Sequence, residues 1–327
     1  MPPDANPLPI VAIVGATASG KTGLSLDLAH ELGGEIVNTD AMQLYRGMDV
    51  GTAKLPPSQR RGIEHHLLDR LDVTETSTVH DFQGWARAEI DEIRGRDRTP
   101  VLVGGSALYT RAILDRFDFP GTDESLRREL EVELESVGPN KLHERLKSLD
   151  AQAAAKIGPD NGRRIVRALE VIALTGRPYS ASLPTPTYAD PHSVQIGVDI
   201  DRPSLDARIA VRVQEMYADG FVEEVERLLD EGLERGQTAR RAIGYREAIA
   251  FLRGEISRDE AVERTQSATR RFARRQDGWF RKDPRVVWVR FDDDDRLAQA
   301  LAAVSSAGVV DRWATTEQGG GISTLGR

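Results

Sequence analysis

The stretch that most constrains this chain is Gly15-Ala16-Thr17-Ala18-Ser19-Gly20-Lys21-Thr22, because its flanks leave few folds open. Ahead of it, Ile10-Val11-Ala12-Ile13-Val14 is a short, largely β-branched run that reads as a buried strand. Behind it, Leu24, Leu26, Leu28, Ala29 and Leu32 predict a helix over 22–32. A strand that turns through glycines into a helix, with Lys-Thr at the turn's end, matches the phosphate-loop pattern at every fixed position. The residue types have a chemical reason. Glycines let backbone N–H groups converge on an anion at a helix N-terminus, Lys21 adds a full positive charge, and the Thr22 hydroxyl suits Mg²⁺. All eight residues are therefore candidate ligands of a pyrophosphate or polyphosphate. The loop alone does not say which reaction follows.

Further along, Glu35-Ile36-Val37-Asn38 reads as a second strand that delivers Asp40 to its C-terminal end. A helix is expected over 82–93, and Pro100-Val101-Leu102-Val103 is a third strand before Gly104-Gly105. Alternation of strand and helix implies a parallel sheet with ligands at its C-terminal edge. The pattern then changes. Over 122–179 the signals are helical only, with Leu126, Leu130, Leu134 and Val137, then Leu142, Leu146 and Leu149, then Ile165, Leu169 and Ile172 at helical spacing. Thr122 or Asp123 suits the first N-cap. A linker with four prolines over 178–191 leads to a strand over 194–200. Long helices follow over 205–231 and 257–280, and a last strand over 286–291. The expected fold class is α/β: a P-loop NTPase-like parallel sheet core (8–120 and 186–315) with an inserted all-helical domain (121–185). Flexible tails are expected at 1–7 and 316–327.

Composition excludes several classes. The chain has no cysteine, so a disulfide framework, a cysteine-based zinc finger and a thiol nucleophile are all ruled out. Its apolar runs are too short to span a bilayer, and residues 1–9 hold no basic patch followed by an apolar stretch. A cytoplasmic protein without a membrane partner is expected. The formal net charge of −8 argues, taken alone, against a polyanionic partner.

Asp40 ends a strand beside the phosphate loop. A carboxylate there can serve as a general base for an incoming nucleophile; it can equally cap a following helix or support Mg²⁺ from behind, and spacing does not choose. A motor ATPase or switch GTPase should also show an apolar strand ending in Asp. Here Val101-Leu102-Val103 ends in Gly104-Gly105-Ser106, and no Asn-Lys-x-Asp guanine-reading motif occurs. A transferase is favoured.

With Asn38-Thr39-Asp40-Ala41-Met42-Gln43 and Tyr45-Arg46-Gly47-Met48-Asp49-Val50-Gly51-Thr52-Ala53-Lys54 added to the phosphate loop, the chain resembles the bacterial tRNA dimethylallyltransferases (tRNA isopentenyltransferases). Four later segments carry the same resemblance in order. They are Leu102-Val103-Gly104-Gly105-Ser106-Ala107-Leu108-Tyr109, Arg163-Arg164-Ile165-Val166-Arg167-Ala168-Leu169-Glu170, Ala242-Ile243-Gly244-Tyr245-Arg246 and Thr269-Arg270-Arg271-Phe272-Ala273-Arg274-Arg275-Gln276. Two departures, Ala16 where the family usually has Pro and Ser106 where Thr is common, remove no needed functional group. The resemblance implies transfer of a dimethylallyl group from its diphosphate to the 6-amino nitrogen of the adenosine 3′ of a tRNA anticodon. It implies Asp40 as the base, Lys21 and Arg208 as diphosphate ligands, and Mg²⁺ at Thr22. It also implies tRNA contacts at Asp40, Ala41, Met42 and Gln43, at Ser106, at Arg163, Arg164, Ile165, Val166 and Arg167, and at Arg241, Ala242, Ile243, Gly244, Tyr245 and Arg246.

Basic clusters fit that implication. Arg270, Arg271, Arg274 and Arg275 share one helix face, and two further clusters are Arg163, Arg164 and Arg167, and Arg240, Arg241 and Arg246. They suit the backbone phosphates of an anticodon stem-loop, gripped in part by the helical insertion, whose target base must flip out to react. A monomer is expected. His65 and His66 lack a third ligand at metal spacing, Trp279 and Phe280 are expected to close the core, and 292–295 is expected to be a solvated acidic turn. Two rivals use the same loop. An adenylate isopentenyltransferase or nucleoside kinase would turn over a free nucleotide, and a nucleotide-switched RNA-binding regulator would bind ATP or GTP without consuming dimethylallyl diphosphate.

Overall fold

The computed structural model describes residues 7–116, 120–182 and 186–309. The flexible tails expected at 1–7 and 316–327 lie outside the described residues apart from Pro7, as does 183–185 of the proline-rich linker. The chain forms two compact units, Met1–Leu114 with Asp190–Arg327, and Asp115–Ala189.

The first unit runs β1 (Ile10–Val14), α1 (Lys21–Glu31), β2 (Gly34–Asn38), β3 (His65–His66), α2 (Val79–Gly95), β4 (Thr99–Val103) and α3 (Ala107–Leu114). The second unit holds α4 (Glu124–Val137), α5 (Pro139–Leu149), α6 (Ala151–Lys156) and α7 (Gly162–Thr175). The chain returns to the first unit with β5 (Ser193–Asp199), α8 (Arg202–Ala218), α9 (Phe221–Asp230), α10 (Tyr245–Leu252), α11 (Arg258–Phe280), β6 (Val286–Arg290) and α12 (Arg296–Val304).

The six strands form one sheet in the order β3-β2-β4-β1-β5-β6, every pairing parallel. β1 is buried at all five positions, which explains its continuous apolar run: a central parallel strand has both faces covered. Leu24, Leu28 and Ala29 of α1 pack with Ala300 and Val304 of α12 against Val11, Ile13 and Ile196. From β1 the chain moves to β2 and β4 on one side, then to β5 on the other. The strand order therefore reverses beside β1, where open parallel sheets leave a crevice at the carboxyl ends of their strands.

Three sequence expectations need correction. The helix expected over 205–231 is two helices, because Gly220 adopts φ 92° and becomes the left-handed N-cap of α9. Trp279 does not close the core; it is exposed with the Lys282 ammonium 5.7 Å from its ring centroid, and Phe280 alone is buried. Within the linker expected over 178–191, Tyr179–Ser182 is a turn of 3₁₀ helix. Elements the apolar spacing did not announce are β3, α3, α10 and α12.

The second unit is helical, with Leu130, Leu142, Leu146, Ile165 and Leu169 in a core of its own. Its helix starts are set by side-chain caps: Asp123 accepts from Ser125 and Leu126 N–H, Asp150 from Ala153 N–H and Asn161 from Arg164 N–H. Glu170 is fully buried, and its carboxylate takes the guanidinium groups of Arg127 at 2.7 Å and Arg167 at 2.9 Å.

Candidate active site

The phosphate loop leaves β1 at Gly15, whose φ of 139° would strain any side chain and where a Cβ would press on the Val198 carbonyl oxygen at 3.2 Å. Ala18 and Gly20 also take positive φ, of 63° and 101°, so the loop coils tightly before Lys21 opens α1. Thr17 N–H donates to Gln276 Oε1 at 2.8 Å, and Gln276 Nε2 donates to the Gly105 carbonyl at 2.9 Å. One buried carboxamide thus ties the loop after β1 to the loop after β4. Arg208 Nε donates to the Ala18 carbonyl at 2.8 Å, and Arg212 Nη1 to Thr17 Oγ1 at 3.3 Å. These two arginines are one turn apart on α8, so both reach the same loop.

Lys21 Nζ donates to the Ala16 carbonyl at 2.5 Å. Desolvation first, and the neighbouring Arg212 cation second, push its ammonium down to about 7, against the pull of the Asp40 carboxylate. Burial likewise lowers Arg212 from its ordinary value, Asp40 opposing and Arg208 adding to the effect. Three cations crowd one loop, an arrangement that a polyanion relieves.

Asp40 is held at the end of β2 by its neighbours. Asn38 accepts from Asp40 N–H at 2.8 Å and donates to the Asp40 carbonyl at 2.9 Å, and Thr39 N–H donates to Val103 O at 2.9 Å. Asp40 Oδ1 in turn accepts from Met42 N–H at 2.9 Å. No helix follows for Asp40 to cap, as the spacing had allowed; its carboxylate closes a turn instead, which occupies one oxygen and leaves the other. Gln43 Nε2 donates to the Thr52 carbonyl at 3.1 Å, anchoring Gln43 to the loop that follows.

Two cavities meet here. The first, of about 650 Å³, is lined by Lys21, Thr22, Asp40, Gln43, Arg208 and Arg212 among others. The second, of about 400 Å³, is lined by Ala41, Met42, Ser106, Arg241, Ile243 and Arg275 among others. Thr17, Asp40, Thr52, Arg212 and Gln276 belong to the walls of both. The fold thus brings together segments 15–22, 40–43, 106, 208 and 241–243, far apart in the chain.

Other expected contacts are not brought there. Tyr245 is fully buried and Gly244 is the N-cap of α10, so neither side of that pair faces the second cavity. Ile165 and Val166 are buried in the core of the helical unit, which removes their side chains from direct RNA contact. Arg167 is spent inside that unit on Glu170 and on the Pro120 and Gly121 carbonyls, while Arg163 and Arg164 are exposed. Arg246 is exposed and bonds Glu247 at 2.8 Å. On α11, Arg271, Arg274 and Arg275 are exposed, and Arg270 is half-buried.

Sequence reasoning missed Arg212 and Gln276. The four-residue offset from Arg208 was a legible signal for the first. Gln276 closes the Thr269–Gln276 segment, but its arginines drew attention to the outer face of α11.

Comparison with known proteins agrees with this geometry. The IPP transferase family model matches residues 43–283. A tRNA dimethylallyltransferase of Nocardioides sp. is 69% identical over 306 residues, covering 94% of this chain and 99% of the relative. One from Streptomyces coelicolor is 53% identical over 302 residues, covering 92% and 96%. Among solved structures, the tRNA isopentenylpyrophosphate transferase of Bacillus halodurans is 39% identical with a TM-score of 0.67, covering 92% of this chain and 98% of that one. A eukaryotic dimethylallyltransferase described as acting on tRNA is 26% identical with a TM-score of 0.76, covering 92% and 77%. A family match over most of the chain, with relatives of this identity and coverage, means that the chain belongs to the IPP transferase family, among the tRNA dimethylallyltransferases.

Proposed function

We propose that this enzyme transfers the dimethylallyl group of dimethylallyl diphosphate to the 6-amino nitrogen of the adenosine 3′-adjacent to the anticodon in tRNA, giving N6-dimethylallyladenosine. The observation that carries the reading is the place of Asp40 in the wall common to both cavities, between the phosphate loop and the second cavity. The diphosphate occupies the first cavity, against the loop amides, Lys21, Arg208 and Arg212. The adenine enters the second. The allylic C–O bond breaks, the electron pair leaves with the diphosphate, and the loop's cations absorb the added charge. The 6-amino nitrogen forms the new bond to the allylic carbon, and Asp40 takes the proton it sheds.

Mg²⁺ fits the residues present as a substrate-borne ion. Among the described residues no group of three His, Asp or Glu side chains stands ready to hold a metal, whereas the Thr22 hydroxyl is exposed beside Lys21 in the diphosphate cavity. One protein oxygen plus substrate phosphates is an ordinary Mg²⁺ environment. Held by Thr22, the ion would neutralise charge on the departing diphosphate.

For the RNA, Arg241 and Arg275 at the second cavity and Arg163 and Arg164 on the helical unit are the proposed phosphate contacts, with the enzyme working as a cytoplasmic monomer. Among the described residues no helix is long and apolar enough to cross a membrane. Labelled dimethylallyl diphosphate incubated with unmodified tRNA, with AMP, or alone tests the reading. Label in tRNA is expected. Label in AMP would install the free-nucleotide reading, and tight ATP or GTP binding without transfer would install the switch reading.

A further inference from the structure

The loop Arg46–Lys54 was prominent in the sequence but has no role in the chemistry above. It is clamped from both sides. Lys54, buried, donates to the Tyr45 carbonyl at 2.9 Å and to the Asp49 and Asp69 carboxylates at 2.6 Å each. On the other side stands Glu224, on the first turn of α9 and 4% exposed. Glu224 Oε2 accepts from Asp49 N–H at 2.9 Å and Val50 N–H at 2.6 Å. Its Oε1 accepts from Gly51 N–H at 3.1 Å and from the Tyr245 hydroxyl at 2.7 Å. No lysine or arginine pairs with it in these bonds; the buried charge is balanced by three backbone amides, one phenol and the N-terminus of its own helix.

Such a carboxylate is an expensive choice for holding a surface loop, because an apolar contact would do so without desolvating a charge. What it supplies is direction. Three successive N–H groups are pinned, so the next two carbonyls, of Thr52 and Ala53, have a set orientation. Those are the carbonyls that accept Gln43 Nε2, at 3.1 and 3.5 Å. Gly51 is packed too closely against Tyr245 for any side chain: a Cβ there would lie 2.5 Å from the Tyr245 hydroxyl and 2.7 Å from Tyr245 Cε2. Burial and the Glu224 charge push the Tyr245 phenol far above its usual range, so it stays a donor at any working pH. Tyr217, Phe221 and Tyr245 stack edge to face, with centroids 5.3 and 5.1 Å apart, which fixes the phenol itself.

We infer that Glu224 and Tyr245 are positioning residues for the transfer step, acting through the loop 49–53 to set the Gln43 carboxamide beside Asp40. Gln43 lines the first cavity, next to the Asp40 wall that the two cavities have in common, and with Nε2 committed to two carbonyls its remaining polar atom is an acceptor oxygen. A 6-amino group has two hydrogens, and an acceptor for the one Asp40 does not remove would hold the lone pair on the line of attack. This reassigns the Gly244-Tyr245 pair from touching RNA to shaping the site from behind.

The inference rests on the proposed prenyl transfer, so the full chain with unmodified tRNA and dimethylallyl diphosphate is the control. No transfer by the unaltered enzyme sinks that function. Transfer by it, with variants unchanged, sinks only the present inference. Glu224→Gln forces an amide N–H against a backbone N–H, and Tyr245→Phe deletes one donor without opening the core. Each should lower kcat by about tenfold or more while both KM values stay within about twofold. In a Gln43→Ala background the same substitutions should cost less than about twofold, because the residue they act through is gone. Equal losses in both backgrounds, or KM values that rise in step with falling kcat, overturn the inference. Should Glu224→Gln fail to fold, Tyr245→Phe decides alone.

Discussion

The lowered ammonium of Lys21 makes diphosphate capture depend on pH in a direction that can be worked out. In the free enzyme Lys21 titrates at about 7, driven first by burial and then by Arg212. The substrate's terminal phosphate completes its ionisation near pH 6, so above pH 7 its own charge no longer changes. If the protonated form is the one that binds, about half of the enzyme is competent at pH 7 and about one molecule in a hundred at pH 9. The apparent Kd for dimethylallyl diphosphate should therefore rise about fiftyfold across that window, measured by titration calorimetry at fixed Mg²⁺. Lys21→Arg, which stays charged, should bind with little pH dependence, and Lys21→Met should bind weakly at every pH. Arg212→Gln removes the neighbouring cation and should move the midpoint upward. Stability must run the other way. Between about 7 and 10.5 the unfolded chain holds the proton that the folded free enzyme has lost, so the ligand-free fold gains stability as pH rises through that range. A flat affinity from pH 7 to 9, or an unchanged slope in Lys21→Met, would refute the assignment.

Three further outcomes follow from other parts of the molecule. Asp40→Asn keeps the bond to Met42 N–H but has no basic oxygen, so transfer should fall by about a hundredfold or more while filter-binding affinity for tRNA changes less than twofold. Arg275→Gln at the mouth of the second cavity should weaken every tRNA alike and reduce the slope of log affinity against log salt by about one. Glu170→Ala strips Arg127 and Arg167 of their common buried partner; because both guanidinium groups are partly exposed, about 2 kcal/mol of urea stability is the expected loss. A loss below about 0.5 kcal/mol would mean the pair is merely tolerated.

Local rules made much of the core legible. The apolar run of β1, the loop after it and the first turn of α1 follow from side-chain type and spacing alone. The proposed base was legible only as a position: Asp40 stood at a strand end, but its bond to Met42 N–H and its place in the cavity wall depend on the folded chain. What stayed hidden depended on long-range closure. Gln276 joins two loops more than a hundred and seventy positions away, and Glu224 reaches Asp49 N–H across 175 positions. Neither has a local pattern, because each is one polar residue among several on its helix. The break at Gly220 was missed for a related reason. The apolar spacing of α8 and α9 is compatible with one helix, and only the left-handed turn separates them.

The charge of the chain illustrates why a total is a poor guide to a partner. Against a net −8, the two adjoining cavities are lined by Lys21, Arg208, Arg212, Arg241 and Arg275, opposed by Asp40 and Glu215. Five cations facing two carboxylates make a local field of the opposite sign to the whole. Burial first, and a neighbouring cation after it, hold Lys21 and Arg212 below their ordinary values in the empty enzyme. An anion in the loop would oppose that shift and favour the protonated form of Lys21, as the proposed diphosphate site requires. The excess of carboxylates lies elsewhere, with exposed acids such as Glu129, Glu131 and Glu135 on α4. Affinity for a polyanion depends on the local field and not on the total, and in the first unit Arg241 and Arg275 stand in the wall of the cavity that Asp40 also lines.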